Sequence, residues 1–146
     1  MSQQNDGKKA RDLLKKGEVS CVLVKGEHVI AKNMKGIGPL VELWGSEVKG
    51  YFGADLIVGR AAALLMAGMG LSGVYGEVMS QGAAEVLERF GLAYSYGVLT
   101  ESIRNRKGDG ECPMEQAVKG IDEPDAAYEA VKATLERLRS FGGSGS

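Results

Sequence analysis

A chain of 146 residues, 44% hydrophobic and 25% charged, has the make-up of one globular domain rather than a disordered or fibrous chain. Lys and Arg number 18 against 19 Asp and Glu, a net charge of −1. That excludes a global field toward nucleic acid or an anionic membrane, so any anion recognition must be local. The opening MSQQNDGKKARDLLKKG has no apolar stretch of the secretory kind. The longest nearly apolar run, Ala61 to Leu71, is far short of the roughly 20 residues a membrane span needs. Cys21 and Cys112 share no spacing motif and suit reduced thiols, so a cytoplasmic protein is expected. Glycine, at 22 residues, is about twice its usual share and sits between apolar segments, where it marks tight turns and close backbone approaches.

In chain order, Lys8 to Lys16 reads as a short helix stopped by Gly17. VSCVLVKGEHVIAKN gives a hairpin turning at Lys25-Gly26-Glu27-His28. GIGPLVELWG is a short helix starting near Pro39. KGYFGA is a loop or a short strand, and ADLIVGRAAALLMAGMG, apolar on nearly every face, is a buried helix. SGVYGEVMS is a strand ending at Ser80, QGAAEVLERFG a helix closed by Gly91, and LAYSYGVL a further strand. The window RNRKGDGECPMEQ, residues 104–116, forms a loop. DEPDAAYEAVKATLERLRS is an amphipathic helix with Asp122 as cap, Pro124 in its first turn, and Tyr128, Val131, Leu135 and Leu138 as its apolar stripe. Strands alternating with buried helices predict an α/β domain, a three-layer α/β/α sandwich on a mixed sheet. It spans residues 8–141, with 142–146 as a flexible tail.

The segments GADLIVGRAAALL, VYGEVMS with its following helix, and RNRKGDGECPME resemble a small uncharacterised prokaryotic family, a domain of unknown function with a cytidine-deaminase-like fold. The resemblance runs from about Lys8 to Leu138. Working deaminases of that fold hold zinc at two helix starts, through a His or Cys with a nearby Glu and a P-C-x-x-C pair. The corresponding starts here would be Asp55-Leu56-Ile57 and Ser80 to Ala84. The single histidine, His28, lies in the hairpin turn and no C-x-x-C occurs, so no zinc site and no cofactor is expected. The resemblance implies that Asp55 and Ser80 open into one pocket at two helix N-termini, which attract phosphate or carboxylate. It also makes a nucleotide-type ligand, of the ADP-ribose or NAD kind, the natural candidate.

Each site residue has a plain structural role beside the functional one. Asp55 is either a helix cap or a carboxylate base or nucleophile. Cys112 is either a small buried hydrophobe or a thiol activated by the nearby Arg104, Arg106 and Lys107. Those cations are either a solvated loop face or, with Gly108 and Gly110, a phosphate-binding arm. Asp109 belongs to the same arm and only superficially resembles a calcium-loop start. Glu77 points either outward or toward the pocket.

The favoured reading is a binder of a nucleotide-type small molecule. Its candidate catalytic residues are Asp55 and Cys112, and its ligand-binding residues are Ser80, Glu77, Arg104, Arg106 and Asp109. The alternative is a non-zinc enzyme acting on a nucleotide metabolite with Asp55 as base or nucleophile. Neither nucleic acid nor membrane is expected as a partner; a homo-oligomer is compatible with either reading.

Overall fold

A computed structural model describes residues 2–34, 36–104, 108 and 110–140. Helix α1 (Ser2–Lys15) begins earlier than the expected start at Lys8. It ends at Gly17, whose φ of 84° suits only glycine. Strands β1 (Cys21–Lys25) and β2 (His28–Lys32) form the expected hairpin, paired Lys25 to His28 across Gly26-Glu27. Helix α2 (Gly38–Leu43) follows with Pro39 in its first turn.

The next segment corrects the sequence reading. The apolar run from Ala54 to Gly70 is not one helix: residues Phe52–Val58 form strand β3, and helix α3 (Arg60–Gly68) starts only after Gly59. A strand buried on both faces is as uniformly apolar as a buried helix, so periodicity does not separate them. The remaining elements are β4 (Gly73–Ser80), α4 (Gln81–Arg89), β5 (Ala93–Thr100), a short α5 (Pro113–Ala117) and α6 (Pro124–Ser140).

One mixed sheet has the order β2-β1-β3-β4-β5. β1 runs antiparallel to both β2 and β3, whereas β3, β4 and β5 are parallel. Parallel neighbours need crossovers, and α3 and α4 supply them on one face, where they pack together. The larger core lies there, built from Leu64, Leu65, Met66, Val74, Met79 and Leu87 among others. Trp44 after α2 stacks on Tyr128 of α6 with ring centroids 4.6 Å apart. A Cβ at Gly68 would lie 2.6 Å from the Trp44 ring, so glycine allows this contact. On the opposite face α1 is the one helix among the described residues, packing Ala10 and Leu14 over Val22, Val24, Phe52, Ala54 and Tyr75. Helices thus flank both faces, and the carboxyl ends of the parallel strands, where α3 and α4 begin, form one edge. Among the described residues no helix is long and apolar enough to cross a membrane.

Candidate functional site

Open α/β sheets hold ligands beyond the carboxyl ends of their parallel strands. At that edge the chain places Gly59 after β3, Ser80 at the end of β4, and Thr100 at the end of β5, followed by the arm that leads to α5.

Ser80 does what a helix N-cap does. Its backbone is extended and its Oγ accepts from the Ala83 N–H at 3.0 Å. It is 2% exposed, so the hydroxyl is engaged and covered.

Asp55 is not at a helix start. It sits within β3, five residues before α3, and its register partner is Cys21 on β1. The carboxyl is buried, hydrogen-bonded by the N–H groups of Ile57 and Leu56 and by the Cys21 thiol. Loss of hydration outweighs these bonds and pushes Asp55 up to about 7. The same burial, with the Asp55 charge beside it, raises the Cys21 thiol well above its ordinary value. The sequence gives no hint of Cys21 as a partner, since it reads as one apolar position of a strand.

Glu115 on α5 is the residue that sequence reasoning missed. Its Oε1 accepts from the Arg60 N–H at 2.8 Å and its Oε2 from the Ala61 N–H at 2.9 Å. One carboxylate therefore spans the first two N–H groups of α3, where the helix offers unpaired donors and partial positive charge. A Cβ on Gly59 would come within 2.7 Å of that carboxylate, so the close approach needs glycine. Burial raises the Glu115 carboxyl, while the two N–H bonds pull it back down. Arg60 fastens the same region from the other side. Its guanidinium donates to the Val118 carbonyl at 2.6 Å, the Ile121 carbonyl at 2.5 Å and the Asp122 carboxylate at 2.8 Å. Arg89 of α4 donates to the Asp122 carbonyl, and its guanidinium lies 3.5 Å from the Asp122 carboxylate. Asp122, read from sequence as the cap of α6, thus gives its carboxylate to two arginines.

Of the other candidates, Cys112 is half-buried at the start of α5, where its N–H donates to the Ile103 carbonyl at 3.0 Å. Arg104 is exposed and forms an isolated bridge with Glu111 that closes the base of the arm. Arg106 and Asp109 lie outside the described residues. Glu77 accepts from the Tyr75 hydroxyl at 2.7 Å. Tyr75 packs in the cluster under α1, so Glu77 belongs to the α1 face and not to the edge where α3 and α4 begin. The structure therefore gathers Ser80, Glu115, Arg60 and Cys112 around the carboxyl edge, sets Asp55 deeper in the sheet, and separates Glu77. Among the described residues no group of three or more His, Cys, Asp or Glu is placed to hold a metal ion.

A concavity lies at the far end of the sheet. It is an open cleft of about 1240 Å³ around the β1–β2 turn, lined by Asp6, Lys25, His28, Glu47, Lys49 and Tyr51 among others.

Residues 9–135 match the family model described as TM1506, domain of unknown function (DUF1893). The chain belongs to the DUF1893 family. A solved structure agrees in fold: the crystal structure of a DUF1893 family protein (TM1506) from Thermotoga maritima at 2.70 Å resolution superposes with a TM-score of 0.77. The two are 24% identical, over 91% of this chain and 90% of that one. No curated protein matches the sequence. The DUF1893 assignment thus fixes a family of unknown function and an architecture, and the chemistry has to be read from the site.

Proposed function

We propose that this DUF1893 domain binds an anionic, nucleotide-type small molecule at the carboxyl edge of β3, β4 and β5. The observation that carries the reading is the Glu115 carboxylate across the Arg60 and Ala61 N–H groups. That geometry supports reading the start of α3 as an oxyanion cradle, filled by a side chain 54 residues away in sequence from its nearer partner. A ligand phosphate takes the same donors when Glu115 swings out, and Arg104 supplies balancing charge.

Support for a deaminase-like ancestry comes from the strand order, in which β1 alone opposes the direction of the others. A further support is the pair of helices that start side by side at one edge. The zinc ligands of such enzymes have no counterpart here, which favours binding over metal-dependent hydrolysis. A cytoplasmic, prokaryotic protein suits this reading.

Titration calorimetry with AMP, ADP-ribose and NAD, against inorganic phosphate, tests the proposal. Saturable binding of a nucleotide is expected, at least about tenfold weaker in Arg104→Ala. No heat from any of them at millimolar concentration would refute it.

A second reading, an enzyme with Asp55 as base, is favoured by the burial of this carboxyl, which pushes it up to about 7, the range of a general base. It requires the strand-buried carboxyl to become accessible to substrate. Turnover of a nucleotide that disappears in Asp55→Asn would support it.

A further inference from the structure

β5 ends the sheet on one side and β2 on the other, and the two edges are built differently. β2 is five residues long and carries His28 and Lys32, the latter ion-paired to Glu42 at 2.5 Å. β5 is eight residues, AYSYGVLT, with no charge and no proline. Its side chains are open to solvent at Ala93 and from Ser95 through Leu99. Tyr96 is 43%, Val98 58% and Leu99 39% exposed, so large apolar residues gather on this one strand. α1 packs over β1, β3 and β4, and its Lys8 and Arg11 share a groove with Ala93 and Ser95 in the first half of β5. Soluble proteins blunt an exposed edge with charges, proline, bulges or a short strand, because its unpaired N–H and C=O groups recruit another strand. Among the described residues β2 has such protection, whereas β5 is longer and carries neither charge nor proline.

We infer that β5 is the pairing edge of a homodimer, in which the β5 strands of two copies run antiparallel about a two-fold axis normal to the sheet. The missing complement is an extended, uncharged strand with a row of backbone donors and acceptors. Every copy of the chain brings one. A net charge of −1 sets up little repulsion between copies. A two-fold axis closes the assembly at two, so the edge is consumed rather than propagated into a fibre. Paired along its length, β5 runs about 25 Å. Pairing along one strand edge covers less than the roughly 800 Å² per partner of a standard interface. The dimer is therefore a weak one, with dissociation in the micromolar range.

Sedimentation equilibrium of the full chain from about 1 to 500 μM, a range that brackets a micromolar dissociation constant, tests this. A reversible monomer–dimer equilibrium is expected. Val98→Lys should weaken it at least about tenfold with an unchanged circular dichroism spectrum, since Val98 supports no core contact that the exposed position would forfeit. Val29→Lys, on the opposite edge, should leave it unchanged. Hydrogen exchange on the unsubstituted protein is the second readout: β5 amides should be better protected at high concentration than at low. A monomer at every concentration, a dimer dissolved by Val29→Lys but not by Val98→Lys, or a different polypeptide found on β5 would each overturn the inference. If Val98→Lys fails to fold, the exchange measurement decides.

Discussion

Asp55 and Cys21 show how far a single residue can depart from its sequence reading. Aspartate before an apolar run looks like a helix cap, yet here it is a buried strand residue facing a thiol. Its carboxyl is raised from 3.8 to about 7, so between those values the folded chain holds a proton that the unfolded chain has lost. Stability from this group is then present in full below 3.8, falls as pH rises through the window, and levels off above about 7. At 1.36 kcal/mol per unit the fall amounts to about 4 kcal/mol at most. Asp55→Asn cannot ionise, so its thermal midpoint should exceed that of the parent at pH 8 and vary less between pH 4 and 7. Parallel melting profiles for the two proteins would contradict the burial of a charge-prone Asp55. Glu115 is raised as well and adds to the slope in the same sense. Ser80 provides the contrast, because its cap role is legible in sequence and present in the structure. Ser80→Ala should cost about 1 kcal/mol in denaturant unfolding. A ligand affinity unchanged in that variant would assign Ser80 to the fold alone; a large loss would return it to the binding site.

Among the elements, those with local signals were legible. The hairpin, Pro39 in α2, the stop at Gly17, the strand to Ser80 and the amphipathic α6 follow from turn chemistry and periodicity within a few residues of each other. β3 was not legible, because its burial comes from β1 and β4 on either side and from helices above and below, none of which is local. The same holds for the Glu115 cradle: the sequence puts Glu115 in the chemically dense window, but only the fold carries it to α3. α5 itself is five residues long and has no buried residue. Its position depends on Glu115 and on the Arg60 bonds to residues 118–122. Arg60→Met removes charged bonds worth about 1.5–3 kcal/mol each where they are well formed. Amide exchange across 113–122 should then speed up at least about tenfold while the core of α3 stays protected. Uniform acceleration over the whole chain would mean that Arg60 supports global stability rather than this segment.

At the scale of the molecule, the sheet has two unlike ends and two unlike edges. The carboxyl end collects the cradle, the capped start of α4 and the base of the Arg104 arm, whereas the opposite end opens into the cleft beside His28. The α/β class and the mixed sheet were legible in the alternation of elements; which end carries the site depends on the directions of β3, β4 and β5, which only the pairing reveals. Both ends carry polar groups, so the location of the proposed ligand is the claim that most needs testing. Amide chemical-shift mapping during a titration with ADP-ribose addresses it directly. Concentration-dependent shifts centred on Arg60, Ala61, Arg104 and Cys112, with the Glu115 amide moving as its carboxylate is displaced, are what the account predicts. Shifts confined to Lys25, His28 and Lys49 at the far cleft, or none at all, would contradict it.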